Sequence, residues 1–412
     1  MTIGGSCHHL KLVIVQSQLL FSVLNNEHEP LIRNMCVNCA MYKEIKFEKA
    51  QFRNNGANLP YARVCFIIPS HYFEHKIKDG SAEQRDRAIY TLKITQLIRG
   101  QRMALAGLRG LAASGHQEMR REIYDMQNSQ TQTELPGKLV RQESGDETGD
   151  LDGDNVYNNT GSVYEFYKKV FNRNSLDNHG MPMVSSVHFA RDFDNAFWNG
   201  RQMVYGDGDD VDFKKHKLAE LLDVTGHEMT HGVTNHTSNF DYVGESGGLN
   251  ESMSDCFGIM ISQWVSNQTV DAAHWLIGEG LMTDGKALRS MKDPGTANQY
   301  DDQIKNYRDY RPDMDVHTSS GIANYAFYLA CKNVGGNSWE KIGKVWYITN
   351  TARLRHNSGF QDAGNHTFDV AGSLFGEGSP EQNAIYNAWH DAGIDAEKPD
   401  LVANVRPRII MR

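Results

Sequence analysis

Apolar and polar positions change their rhythm several times along the chain. Residues 10–15 and 19–24 are largely apolar, split by Gln16-Ser17-Gln18, and set up no sustained period through residue 64. The stretch 80–92 has helical spacing; Ser81 is placed to cap it, with Gln84 as the reciprocal capping partner. Residues 122–205 carry short β-like runs separated by turn residues, and 193–205 reads as one extended strand ending in Gly206-Asp207-Gly208. Leu218, Leu221 and Leu222 restore helical spacing. Leu249, Met253, Phe257, Met260 and Trp264 form a single apolar stripe on a further helix. The remainder is helical at about 249–265, 320–332, 338–353 and 381–392, joined by Gly-rich turns. Strand-rich first half and helical second half predict an α+β protein.

Two of these helices carry chemistry. His227-Glu228-Met229-Thr230-His231 follows the leucine-spaced segment, and positions i and i+4 share a helix face. Two imidazoles so placed can hold one metal ion, with Glu228 in reach of a water on it. A hydrolytic zinc site needs a third protein ligand and one open position. Glu251 lies 20 residues after His231, in Asn250-Glu251-Ser252-Met253-Ser254-Asp255, and suits that role. Asp255 falls one turn beyond Glu251, placed to fix the tautomer of a metal-binding histidine through its outer nitrogen. Gly258 continues the face and would let the two helices approach closely.

Composition and charge narrow the class. The 412 residues suffice for two or three domains, and the net charge of −9 argues against a nucleic-acid partner. No apolar run reaches 18 residues, so no membrane span is expected. A signal peptide is poorly supported, since the start has only Lys11 as a basic residue and the apolar stretch is interrupted. Cys36-Val37-Asn38-Cys39 is a lone pair and is read as incidental. Cys7 and Cys65 also lie in this N-terminal part, Cys256 and Cys331 fall in apolar helical patterns, and nothing demands a disulfide framework. Asp150, Asp152 and Asp154 alternate like a calcium loop. Gly161 stands where the closing glutamate of an EF-hand belongs, so 143–155 is expected to be a solvated acidic loop.

The two helical motifs together resemble the thermolysin family of zinc endopeptidases. So do Asn195-Ala-Phe-Trp-Asn-Gly-Arg-Gln-Met-Val-Tyr-Gly-Asp-Gly208, Leu288-Arg289-Ser290-Met291 and Val316-His317-Thr-Ser-Ser-Gly-Ile322, in the family's order over about residues 120–395. The resemblance implies a two-domain fold with the site in the cleft between a β-rich half and a helical half. It gives an extension of unknown role at 1–64, a propeptide and linker at 65–121, a catalytic N-terminal domain at 122–236, a helical C-terminal domain at 237–396 and a tail at 397–412. Residues 66–110 resemble the short propeptide of the protealysin-like subgroup, whose proline turn occupies the cleft of the precursor. Here the turn is Ile68-Pro69-Ser70, with one proline where the subgroup usually has two and a leucine. Residues 110–126 would hold the maturation bond, Arg120-Arg121 among the options.

For the site, the resemblance implies zinc on His227, His231 and Glu251, with Glu228 as general base and Tyr242 and His317 as donors to the tetrahedral oxyanion. The carboxylate that orients the family's histidine is replaced by Pro312, leaving Asp313 or Asp315 to take over. Asn195 and Ala196 would hold the substrate backbone and Arg289 its carbonyl. Val224, Ile277 and Leu288 would line an apolar pocket for the residue after the scissile bond. Asp223 and Glu279 match two of the family's calcium ligands, but Ser262, His274 and Leu276 stand where other acids are expected, leaving one weak calcium ion or none. The same resemblance implies a secreted monomer acting on peptide or protein substrates, with its own propeptide as intramolecular inhibitor. Two other readings stay open: a zinc- and peptide-binding protein that has lost turnover, separated by peptide cleavage, and an exopeptidase, separated by blocked peptides.

Overall fold

The short β-like runs of the first half assemble into one six-stranded sheet, and one of its strands comes from outside the expected catalytic body. The computed structural model describes residues 65–105 and 118–397. The readings placed on 1–64, on the linker at 106–117 and on 398–412 lie outside the described residues. Strands β1 (Cys65–Phe66), β2 (Arg121–Asp125), β3 (Lys138–Gln142), β4 (Met183–Val187), β5 (Ala196–Trp198) and β6 (Met203–Tyr205) lie in the order β1-β5-β6-β4-β2-β3. The inner pairs β2/β4 and β4/β6 are parallel, and the others antiparallel. The expected single strand over 193–205 is instead a hairpin of β5 and β6. Asn199-Gly200 supplies the turn, with Gly200 at φ 94°, the left-handed region that glycine enters at no steric cost.

Helices α1 (Ser70–Asp79) and α2 (Ala82–Leu105) follow β1 as a hairpin. Its joint is the expected capping box. Gln84 N–H donates to Ser81 Oγ at 3.2 Å, and Ser81 N–H to Gln84 Oε1 at 3.0 Å. The hairpin is tied to the body by the buried Lys76–Asp212 ion pair and by Gln84, which donates to Asp212 at 2.7 Å. Tyr72 lies between the Phe213 and Tyr300 rings, at 5.0 and 5.1 Å.

The acidic stretch 143–155 is a solvated loop only in its first part, where Asp146 and Glu147 are exposed; its end is not. That end starts helix α3 (Leu151–Phe171), which the β-like reading of 122–205 missed. Gly153, Gly161 and the Asn158-Asn159-Thr160 run are poor helix formers. Tertiary burial of Val156, Val163, Phe166 and Tyr167 overrides them. Asp150 caps the helix, accepting from Gly153 N–H at 2.8 Å. Arg141 donates to Asp154 at 2.7 Å, and buried Asp152 lies 2.9 Å from His216 Nδ1. Arg121, named above among the options for the maturation bond, is not in an exposed linker. It is in β2, donating to Glu143 at 2.8 Å with its side chain 11 % exposed.

His188 joins this acidic group, its Nδ1 2.8 Å from Asp207 and its Nε2 3.1 Å from Asp150. The Asp207 hydrogen bond, against some burial, lifts its pKa to about 9. The folded value lies above the ordinary histidine value of about 6.5. The associated stability is therefore complete below about pH 6.5 and lost as pH rises through about 9. Thermal midpoints of the chain should fall across that window, and the fall should be shallower in His188→Gln. Equal slopes in the two proteins would remove the assignment.

The second half is helical. After α4 (Lys217–Glu220) come α5 (Leu222–Asn235) and α6 (Gly244–Val265), then the two-stranded ladder β7 (Leu276–Ile277) and β8 (Arg289–Ser290). The chain closes with α7 (Val316–Val334), α8 (Ile342–Ile348), α9 (Phe360–Phe375) and α10 (Pro380–Asp391). Helix α9 was not expected, since Gly364, Gly372 and Thr367 dilute its apolar signal. The single stripe expected on α6 also proves too narrow. Every residue from Ser246 to Ile261 is buried, because α3, α5, α7, α8 and α9 all pack on this helix. Its polar positions are therefore interior positions, which is what makes Glu251 and Asp255 available for chemistry.

Candidate active site

Helices α5 and α6 meet where neither has a side chain to keep them apart. A Cβ on Gly258 would stand 2.7 Å from Asp223 O and 3.1 Å from His227 N, as the close approach expected of this glycine requires. A Cβ on Gly226 would come 3.1 Å from Gly258 Cα. The contact brings His227, Glu228 and His231 against Glu251 and Asp255, all at most 1 % exposed.

The two imidazoles are held from behind. His227 Nδ1 lies 2.8 Å from Asp255 Oδ1, and His231 Nδ1 lies 2.8 Å from Asn250 Oδ1. Both Nε2 atoms therefore face inward, 3.1 Å apart. Glu251 closes the triangle, with Oε2 3.3 Å from His227 Nε2 and Oε1 3.6 Å from His231 Nε2. A tetrahedral zinc with bonds of about 2.0–2.1 Å sets its ligand atoms about 3.3 Å apart, so these three groups fit one. Burial and the neighbouring His227 push His231 down to about 4, keeping it in the neutral form that ligates metal. Burial opposes charge on His227 as well, but Asp255 and Glu251 outweigh it and lift that imidazole to about 9.

Glu228 sits beside this triangle. Its Oε2 accepts from Trp198 N–H at 2.8 Å, while Oε1 is buried with no hydrogen-bond partner among the described residues. Burial pushes its carboxyl well above the usual range. Tyr242 O–H donates to Glu251 Oε1. His317 Nδ1 lies 2.8 Å from Asp315 Oδ1, so the carboxylate missing at Pro312 is supplied by Asp315 rather than Asp313. Asp315 can do this because it is also the N-cap of α7, accepting from His317 N–H at 2.9 Å.

The cleft is filled by the chain's own residues 65–68, which continue the sheet along β5. Phe66 O is 2.9 Å from His317 Nε2. Ile67 N–H donates to Ala196 O at 3.2 Å, and Ile67 O accepts from Arg289 at 2.8 Å. Ile68 N–H donates to Asn195 Oδ1 at 3.0 Å, and Asn195 Nδ2 donates back to Ile68 O at 3.0 Å. One proline at this turn is thus compatible with full backbone engagement. Arg289 reaches Ile67 while held by Asp255 through two hydrogen bonds of 3.0 and 2.8 Å, and Asn324 donates to the same carboxylate at 2.9 Å. Ile67 is fully buried in one apolar cluster with Val224, Ile277 and Leu288.

Asp223 and Glu279, the expected calcium pair, are otherwise engaged. Asp223 accepts from Gly278 N–H at 2.6 Å, and Glu279 pairs with exposed His274 at 3.1 Å. One neighbour of the site was not legible in the sequence. Cys65, set aside above with the N-terminal cysteines, lies beside His231 and Glu251. Spacing carries no signal for it, because its neighbours lie far downstream.

Comparison with known proteins follows the same division of the chain. Residues 110–235 match the family model described as thermolysin metallopeptidase, catalytic domain. Residues 238–394 match thermolysin metallopeptidase, alpha-helical domain. An extracellular metalloprotease of Pectobacterium carotovorum subsp. carotovorum is 39% identical over 353 residues, covering 82% of this chain and 99% of the relative. Protease PrtS of Photorhabdus sp. (strain Az29) is 36% identical over 358 residues, covering 81% and 93%. Among solved structures, the precursor of protealysin, a metalloproteinase from Serratia proteamaculans, is similar with a TM-score of 0.70 and 39% identity, covering 81% of this chain and 99% of that one.

Proposed function

Because this chain belongs to the thermolysin family of metallopeptidases, a zinc endopeptidase made with a propeptide, we propose that His227, His231 and Glu251 hold its zinc and that Glu228 is its general base. The observation that carries this assignment is the triangle of inward-facing ligand atoms, 3.1 to 3.6 Å on a side, with the unpartnered Glu228 Oε1 beside it. Zinc bound there supplies Lewis acidity toward the scissile carbonyl and the attacking water. Glu228 Oε1 takes the proton of that water and delivers it to the leaving amine. The raised affinity of this buried carboxyl for a proton suits both halves of the transfer.

His317 and Tyr242 donate to the carbonyl oxygen as it gains charge. Asp315 holds the His317 ring in register. The Tyr242 hydroxyl turns from Glu251 to substrate when a substrate replaces residues 65–68. Asn195, Ala196 and Arg289 bind the substrate backbone as an added strand, the arrangement that Ile67 and Ile68 adopt now. The propeptide strand is accordingly an intramolecular inhibitor, and its removal opens the cleft. The reading of impaired turnover rested on a poorly held His317 and on the unusual N-terminus; the Asp315 contact takes the first reason away, and residues 1–64 lie outside the described residues.

The domain limits follow this reading. The body begins with β2 at Arg121, so the maturation bond precedes it. For calcium the reading is at most one weakly held ion at Asp223 and Glu279, since a hard cation needs more oxygens than these two groups provide. Secretion, a monomeric state, and the lack of nucleic-acid or membrane partners belong to the same reading. Relatives named as extracellular support secretion. Among the described residues, no helix is long and apolar enough to cross a membrane.

Ile67 belongs to the same buried apolar cluster as Val224, Ile277 and Leu288, which supports an apolar pocket for the residue after the scissile bond. Blocked peptides with an internal Gly-Leu, Gly-Phe, Gly-Ile or Gly-Val bond should be cut before the apolar residue by the matured enzyme. A Gly-Asp bond should have kcat/KM lower by at least about 100-fold, since it buries an unpaired charge. Comparable rates on the Leu and Asp peptides would defeat the pocket assignment. Cleavage confined to unblocked peptides would indicate an exopeptidase.

A further inference from the structure

We propose that Cys65 is a fourth zinc ligand in the precursor, its sulfur holding the coordination position that catalysis needs open. The proposal rests on the zinc assignment to His227, His231 and Glu251, and adds to it a residue from the strand that fills the cleft.

The geometry is specific. Cys65 Sγ and one ligand atom each of His231 and Glu251 all lie within 4.8 Å of one another. Cys65 is fully buried. In the β1/β5 ladder it stands opposite Trp198, the residue whose N–H binds Glu228, so it sits level with the general base. The next three residues are all fixed by the cleft: Phe66 by His317, Ile67 by Ala196 and Arg289, and Ile68 by Asn195. The cysteine therefore has a set position relative to the metal site. Glu251 Oε2 is buried, makes no hydrogen bond among the described residues and lies 3.3 Å from both His227 Nε2 and His317 Nε2, a placement that points to a ligand shared among these groups.

The chemistry agrees with the placement. Thiolate is a favoured zinc ligand, and four protein ligands make a closed structural site, whereas three leave a hydrolytic one. Coordination forms one Zn–S bond, and the thiol proton leaves to solvent. No oxidant or reductant is involved. The arrangement also accounts for a peculiarity of the register. Phe66 O faces His317 and Ile67 N–H faces Ala196, so the Phe66–Ile67 bond lies as a substrate bond would. Sulfur in the open position excludes the attacking water from that bond. Activation then requires β1 to leave the cleft, which breaks the Zn–S bond, reprotonates the thiol and admits water.

The test is zinc K-edge X-ray absorption on the full chain carrying Glu228→Gln, which keeps the precursor intact, alongside Glu228→Gln/Cys65→Ala. The expected result is one sulfur at about 2.3 Å beside nitrogen and oxygen at about 2.0–2.1 Å in the first protein. The second should keep one zinc per chain and lose the sulfur shell. Only nitrogen and oxygen around zinc in the first protein would overturn the Cys65 assignment while leaving the other ligands standing. So would a sulfur shell that survives Cys65→Ala. A precursor without zinc would overturn both. Circular dichroism of the double variant establishes that it is folded.

Discussion

Glu228→Gln is expected to lower kcat of the matured enzyme by about 10²–10⁴-fold while zinc content stays at one per chain. Glutamine keeps the shape of the side chain, and its carbonyl oxygen can still accept from Trp198 N–H, as Glu228 Oε2 does now at 2.8 Å. What it loses is the ability of Oε1 to take a proton. The group acts in the chemical step rather than in binding, so KM should move little and the loss should fall on kcat. Stability should not drop, because replacing a fully buried carboxylate by a neutral amide removes a desolvation cost. Steady-state kinetics on a blocked Gly-Leu peptide, with metal analysis of the same sample, reads both quantities. Activity within about tenfold of the parent would mean that another group moves the proton.

Asp255→Ala should damage both fold and site. Asp255 is fully buried and serves three partners: His227 at 2.8 Å, Arg289 through two hydrogen bonds and Asn324 at 2.9 Å. Removing it strands the Arg289 guanidinium, which is only 3 % exposed. Breaking a buried pair from one side costs about 3–5 kcal/mol. Losing the carboxylate behind a metal-binding imidazole costs about 10–100-fold in metal affinity. Bound metal itself stabilises a fold, so the two effects separate only if denaturant unfolding is followed with and without chelator. The stability loss should persist in chelator, and zinc affinity should fall in addition. A variant unfolding like the parent in chelator would show that Arg289 finds another partner.

What was readable in the sequence divides along physical lines. His227, Glu228 and His231 were legible because helical periodicity alone sets their geometry. Glu251 and Asp255 were legible because the second helix has its own apolar spacing, although its burial on every side was not. Interior helices lose the amphipathic contrast on which such readings depend. Helices α3 and α9 were missed for a related reason: their glycines, asparagines and threonines lower local propensity, and only packing restores it. The hairpin at 196–205 was read as one strand because the Asn199-Gly200 turn signal was passed over in a run of β-forming residues. The acidic residues before 155 were read as solvated, which fits exposed Asp146 and Glu147, whereas Asp150, Asp152 and Asp154 pair with His188, His216 and Arg141. Asp315 was one of two options for holding His317, and only the cap geometry of α7 separates it from Asp313. Cys65 was illegible in principle, since its relation to the site exists only once β1 has added to the sheet.

The proposed mechanism depends on where the metal sits. The most direct measurement is an anomalous difference map at the zinc edge from crystals of the Glu228→Gln chain. The predicted result is a single strong peak about 2.0–2.2 Å from His227 Nε2, His231 Nε2 and a Glu251 carboxylate oxygen. No peak among these three side chains, or zinc bound only elsewhere, would contradict it.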